Sequence, residues 1–104
     1  MSVIVTLRLA GDPDELERMA GENPDGMQAI LSKAKDAGLI AHRFYGADGQ
    51  IMVVDEWPDP QSFQRFFEGM RSEIEPMMQR VGSGEPEITF WRKLETHDDY
   101  GWES

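Results

Sequence analysis

Residues 39–57 read LIAHRFYGADGQIMVVDEW. Two runs rich in β-branched and aromatic residues, 39–45 and 50–57, flank the short sequence GADG at 46–49. Such side chains favour strands, and a glycine in the connection allows the positive φ that a tight turn needs. The stretch therefore predicts an antiparallel β-hairpin, which needs further strands beside it and a covering layer.

The sequence on each side of this hairpin contains helical signals and one further strand. The odd positions from Val3 to Leu9 are all apolar, which predicts a strand with one buried face. Asp12, Asn23 and Asp59 each precede a proline, and this pairing of a cap with the first helical residue is typical of a helix start. The predicted elements are strands 3–9, 39–45, 50–57 and 87–94, and helices at 13–20, at 24–37, from Pro60 onward and at 72–81, the last ended by the glycine run 82–84.

The resulting β-α-β-β-α-β order predicts a ferredoxin-like α+β sandwich, with one domain at 1–94 and an acidic tail at 95–104. Right-handed crossovers place the helices on one face of a four-stranded antiparallel sheet with the spatial order 4-1-3-2. An apolar open face is expected to pair with a second copy, giving a homodimer whose two sheets form a dimeric α+β barrel. The residues expected on that open face are Trp57, Trp91, Thr6, Val53 and Ile51.

Charge balance and cysteine content exclude several classes of function. Twenty acidic residues against ten basic ones give a net charge of −10, which disfavours binding to nucleic acid or to an anionic membrane surface. The sequence has no cysteine, so disulfides, thiolate nucleophiles and Fe–S clusters are excluded. Residues 1–5 lack a basic signal-like region, and no apolar run approaches about 20 residues. We therefore expect a cytoplasmic protein without a membrane span.

Three features together resemble a known superfamily. They are the element order, the segment GLIAHRFY at 38–45, and VVDEWPD at 53–59 with Phe63 following. Over about residues 2–94 the chain is similar to the dimeric α+β barrel proteins, and most of all to their antibiotic-biosynthesis-monooxygenase-like (ABM-like) branch. The resemblance implies a homodimer and, in one group of members, cofactor-independent oxidation of anthrone-like or quinol substrates by O₂. Other members degrade haem with a helical histidine ligand, which His42 on a strand and His97 in the tail do not match.

His42 and Asp55 are the candidate catalytic residues. His42 is the histidine inside the predicted fold, and an imidazole can act as a general base toward a phenol or an acidic C–H. The alternative is a structural histidine bonded to a neighbour, and alternation does not decide its face, since both residue sets of its strand mix apolar and polar character. Asp55 shares a face with Trp57, two residues further on. It either pairs with His42 or Arg92 to organise a pocket, or forms a structural ion pair that fixes the dimer register.

Five further residues are candidate substrate contacts. Strand arginines either bind an anionic ligand or pair with surface acids, and the aromatic residues beneath the sheet supply either a soft lining or core. The resemblance implies a place in the substrate pocket for Trp57, which is otherwise a packing anchor. The sequence contains no nucleotide-binding motif and no metal-ligand spacing, so we expect neither a cofactor nor a metal. The candidate contacts are Trp57, Arg43, Phe44, Phe63 and Arg92.

Cofactor-independent oxygenation of a small aromatic or polyketide-like compound is therefore the leading functional hypothesis. Two alternatives stay open: an isomerase or cyclase that uses the same base without oxygen, and a non-catalytic dimeric module that binds a small molecule or acts in a stress response. The expected roles are base for His42, orienter for Asp55, stacking wall for Trp57 and anion stabiliser for Arg43 or Arg92.

Overall fold

The computed structural model describes residues 2–102. Its four strands form one antiparallel sheet in the order β2-β3-β1-β4, which confirms the predicted ferredoxin-like topology. The elements are β1 (Val3–Gly11), α1 (Pro13–Glu22), α2 (Pro24–Asp36), β2 (Ala41–Ala47), β3 (Gln50–Trp57), α3 (Pro60–Gly69), α4 (Arg71–Val81) and β4 (Gly82–Trp91).

A side-chain cap followed by a proline begins three of these helices, as predicted. At the start of α3 the Ser62 N–H donates to Asp59 over 2.7 Å. This bond lowers the pKa of the Asp59 carboxyl group, because it favours the charged form. Helix α4 begins directly after α3 and has no side-chain cap. The capping residues are Asp12, Asn23 and Asp59.

Two strands lie at other positions than the sequence predicts. Strand β2 begins and ends two residues later than 39–45. Strand β4 begins at Gly82, within the glycine run that predicted a loop, instead of at Glu87. Gly82 pairs with Gly11 of β1, and a Cβ on Gly82 would collide with the carbonyl oxygen of Ala10. The glycine therefore permits a close approach of the two strands.

The register between β1 and β3 decides which side chains face the helices. Val5, Leu7 and Leu9 of β1 are buried and pack against residues from all four helices. Side chains directly opposite each other on antiparallel strands share a face, so their β3 partners also lie on the helix side. The β3 side chains on the helix side are Ile51, Val53, Asp55 and Trp57.

This register shows that the prediction of Trp57, Val53 and Ile51 on the open face is wrong. Apolar residues occur on both faces of β3, so alternation alone does not separate the face that meets the helices from the other. Trp91 and Thr6 do lie on the open face, where the Trp91 indole Nε1 donates to Thr6 Oγ1 over 2.9 Å.

Ion pairs connect the helices above the sheet. Arg80 of α4 lies 2.9 Å from Glu22 and 3.1 Å from Glu15 of α1, and the bonds to these two carboxylates raise the pKa of Arg80. Lys33 of α2 lies 3.6 Å from Glu73 of α4. Within residues 2–102, no helix combines the length and the apolar character that crossing a bilayer demands.

Candidate functional site

The hairpin brings His42 and Asp55 directly opposite each other. They are partners in the register of β2 and β3, and His42 Nδ1 lies 2.7 Å from Asp55 Oδ1. Because partners share a face, His42 lies on the helix side, which alternation had left undecided. The His42 side chain is 30% exposed and that of Asp55 is 10% exposed. The pair is therefore largely withdrawn from water.

Trp57 binds the second oxygen of the same carboxylate. Its indole Nε1–H donates to Asp55 Oδ2 over 3.2 Å, while Oδ1 faces His42. A carboxylate only accepts hydrogen bonds, so the proton of the His42 contact belongs to Nδ1. In the neutral imidazole, Nε2 then carries a lone pair. With this geometry the His42–Asp55 dyad can accept a proton at Nε2 while the carboxylate holds the other side of the ring.

A cavity of about 120 Å³ lies between the helix side of the sheet and the helices. Side chains from β1, β2, β3 and all four helices line it. Among the described residues that line it, His42 and Asp55 are the polar ones, and no lysine or arginine takes part. A largely apolar cavity with a few convergent polar groups is the usual form of a small-molecule site.

The cavity exists because α2 and α4 do not close fully onto the sheet. On the apolar stripe of α2 only Ala34 is buried, whereas Met27, Ile30 and Leu31 are half-buried and line the cavity. The half-buried apolar residues of α4 line it in the same way. These are Ile74, Met77 and Met78.

Two of the predicted substrate contacts lie at this cavity. The ring of Phe44 meets the His42 imidazole edge-on, with ring centroids 5.1 Å apart. Phe63 is buried, lines the cavity from α3 and packs against Trp57 with ring centroids 6.0 Å apart. The two phenylalanines offer apolar, aromatic surfaces close to the dyad.

Three other predicted contacts lie elsewhere. Trp57 is fully buried and does not line the cavity, so it supports Asp55 from behind instead of forming a stacking wall. Arg43 lies on the open face of the sheet, where its guanidinium donates to Tyr45 Oη over 3.3 Å. Arg92 follows the last residue of β4 and is exposed. The structure therefore does not bring either arginine to the cavity.

The contribution of α2 to the site is what the sequence did not predict. Met27, Ile30 and Leu31 lie at helical spacing, and this spacing is the same whether the stripe meets a packed core or an empty space. The methionine in this stripe is a weak indication that the stripe lines a cavity. A methionine fills irregular space more readily than a branched side chain does, and two further methionines line the cavity from α4.

The described residues contain no metal-ligand cluster, and those of the tail have no regular secondary structure. No three histidine, aspartate or glutamate side chains of residues 2–102 are grouped so that they could hold a metal ion. Residues 92–102 form no helix or strand. Lys93 lies 2.7 Å from Asp99 and 3.3 Å from Glu95, and these bonds raise the pKa of Lys93. Tyr100 and Trp102 are exposed.

Known proteins resemble this chain in structure and not in sequence. No family model matches it, and neither does any curated protein. A dimeric ferredoxin-like protein from an uncultured marine organism has a TM-score of 0.66 at 16% identity, over 98% of this chain and 93% of that one. A monooxygenase of Streptomyces coelicolor, solved with the ligand nanaomycin D, has a TM-score of 0.67 at 14% identity, over 91% and 89%. SnoaB, a cofactor-independent oxygenase of Streptomyces nogalater, has a TM-score of 0.63 at 14% identity, over 94% and 98%.

Proposed function

From the fold that this chain shares with the ABM-like dimeric α+β barrel proteins, we propose that it is a cofactor-independent oxygenase of a small aromatic compound. One observation carries the proposal. His42 Nδ1 lies 2.7 Å from Asp55 Oδ1, and these two residues are the polar ones among the described residues that line the cavity. Such a cavity receives an aromatic ring and sets its hydroxyl group against a base.

Each residue of the site has a separate task in this reaction. His42 Nε2 takes the proton of a bound phenol, and Asp55 stabilises the imidazolium that forms. Trp57 holds the carboxylate in place through Oδ2. Phe44 and Phe63 contact the aromatic ring. The apolar lining offers water no hydrogen-bond partner, and the attraction between phenolate and imidazolium is stronger where little water is present. This attraction stabilises the anion without a contribution from an arginine.

The reaction balances without an external reductant. The phenol proton passes to His42, and a ring carbon conjugated with the phenolate oxygen combines with O₂. The peroxide that forms takes the proton back from His42 and loses water, which turns the attacked C–H carbon into C=O. One phenol and one O₂ therefore give one quinone-type product and one H₂O. All the electrons come from the substrate.

Oxygen uptake tests this proposal directly. Purified protein is dialysed against a metal chelator and offered neutral phenols, hydroquinones and anthrone in an oxygen electrode, with protein-free autoxidation as the baseline. We expect saturable uptake with at least one compound, and one O₂ consumed for each molecule of product. Saturable binding without uptake for every compound would favour the non-catalytic binding module. A product isomeric with its substrate would favour the isomerase or cyclase.

We also propose that two copies pair through the open face of the sheet. Ile4, Met52 and Val54 are only half-buried there, and Trp91 is 53% exposed. Incompletely buried apolar side chains that are grouped on one face of a sheet are characteristic of an interface. That a ferredoxin-like protein of similar structure is dimeric supports a homodimer.

Light scattering is expected to give twice the 11.9 kDa chain mass at micromolar concentration. Val54→Glu places an unpaired charge at the middle of the open face, so we expect the dimer dissociation constant to rise by roughly 100-fold or more. Gln64→Glu adds the same charge to an exposed position on α3 and should leave the dimer unchanged. A wild-type monomer, or equal effects of the two variants, would contradict this pairing.

A further inference from the structure

Resting on the proposed function, we infer that the cavity selects a single-ring phenol that is uncharged when it binds. Fused-ring compounds and phenols that carry a carboxylate are excluded. Three observations support this choice of ligand: the volume of the cavity, the absence of a cation from its described lining, and the position of the dyad on its wall.

The volume limits the ligand to about one ring. An engineered apolar cavity of roughly 150 Å³ holds a benzene molecule, and the cavity here measures about 120 Å³. Leu7, Ile51 and Phe63 line the cavity and are buried in the packed core, so these side chains have little room to move. A phenol with a short substituent fits this space, whereas a further fused ring would reach beyond it and press on the half-buried side chains of α2 and α4.

The charges around the cavity limit the ligand to a neutral species. The Asp55 carboxylate lies on the wall, and no described lysine or arginine lines the cavity to offset a second negative charge. A bound carboxylate would lose its hydration and face a like charge in apolar surroundings. The net charge of −10 disfavours the approach of an anion as well.

A neutral phenol avoids both the loss of carboxylate hydration and the repulsion from Asp55. It enters uncharged, and its hydroxyl group can donate to His42 Nε2. Transfer of that proton creates the phenolate and the imidazolium side by side, so each charge has its counter-ion at the moment it forms. The dyad thus supports an anion that arises inside the cavity but not one that arrives from solution.

Anaerobic titration calorimetry tests the ligand class separately from turnover. The probes are m-cresol, m-hydroxybenzoate and 2-naphthol, which all carry a phenolic hydroxyl group and differ in charge or ring number. We expect saturable binding of m-cresol, and binding at least about 100-fold weaker for the other two. 2-Naphthol or m-hydroxybenzoate bound as tightly as m-cresol would overturn the inference, and so would no binding of m-cresol.

A pair of methionine variants tests whether the cavity volume sets the ring number. Met77→Ala enlarges the cavity from α4 and should tighten binding of 2-naphthol by about tenfold or more, with m-cresol changed less than threefold. Met70→Ala removes the same atoms from the junction of α3 and α4, outside the cavity, and should change neither. Equal effects of the two variants on 2-naphthol would contradict the inference.

The two proposals fail in different ways. If m-cresol binds selectively under nitrogen but no phenol supports oxygen uptake, the ligand class stands and the oxygenase function fails. If oxygen uptake is fastest with fused-ring or carboxylated phenols, the oxygenase function stands and the ligand class fails.

Discussion

Replacement of His42 by glutamine is expected to lower kcat/KM for oxygen uptake by about 10²–10⁴-fold, which is the usual contribution of a positioned general base. Glutamine is polar and of similar reach, so it can still donate a hydrogen bond to Asp55 and remain on the helix side of β2. It cannot accept the phenol proton at a position equivalent to Nε2. The loss should therefore appear in catalysis, with the folded sheet and the cavity retained.

The second histidine provides the matched control. His97 lies in the tail and adopts a positive φ of 65°, which asparagine tolerates better than most residues. His97→Asn should therefore leave oxygen uptake within about twofold of the wild type. Anaerobic binding of m-cresol by His42→Gln, measured in parallel, separates a lost base from a collapsed cavity. Equal rates for wild type and His42→Gln would remove His42 from the mechanism.

The sequence predicted the topology because its signals are local and agree with each other. The glycine-containing connection predicted at 46–49 and the three caps each act within a few residues, and the β-α-β-β-α-β order then leaves few ways to connect the strands. The predicted start of β4 was wrong because its local signal has two meanings. Gly82 is needed where two strands approach closely, and glycine has the same local signature in a loop as in such a contact.

The positions of the site residues depend on the strand register, which the alternation of polar and apolar residues does not specify in this chain. His42 and Asp55 were predicted as one possible pair, but β3 carries apolar residues on both faces and β2 mixes polar with apolar. Only the pairing of each strand with its neighbours places the dyad on the helix side. The same register takes Arg43 away from the cavity and buries Trp57 behind Asp55, so the expected anion stabiliser and stacking wall are not part of the lining.

Replacement of Asp55 by asparagine is expected to lower kcat by about 10²–10⁴-fold with little change in KM, because the substitution reverses the tautomer of His42. The asparagine side chain has one acceptor oxygen, and the Trp57 Nε1–H takes it. Its amide nitrogen then faces His42 Nδ1 and donates to it. The proton of the neutral imidazole moves to Nε2, where a base needs a lone pair.

Nitrogen NMR of the imidazole separates this effect from a loss of structure. In the wild type the proton should be on Nδ1, and in Asp55→Asn on Nε2, with the melting temperature nearly unchanged because the two side chains have the same shape. Asp59→Asn makes the same substitution at an exposed helix cap and should affect neither the rate nor the tautomer. An unchanged His42 tautomer in Asp55→Asn would contradict the assigned role of the carboxylate.

Removing the indole N–H of Trp57 should restore part of the activity that Asp55→Asn loses. A purely structural role for Asp55 would give no such recovery. In the double variant Trp57→Phe with Asp55→Asn, residue 57 has no N–H to donate to the amide oxygen of the new asparagine. The amide group can therefore rotate, and its oxygen can accept a hydrogen bond from His42 Nδ1–H. The base tautomer returns, and we expect kcat to recover by about tenfold over Asp55→Asn alone, although phenylalanine packs less completely than tryptophan in the core. If Trp57→Phe lowers kcat equally in the presence of Asp55 and of asparagine, the two residues act independently and Trp57 does not orient the carboxylate.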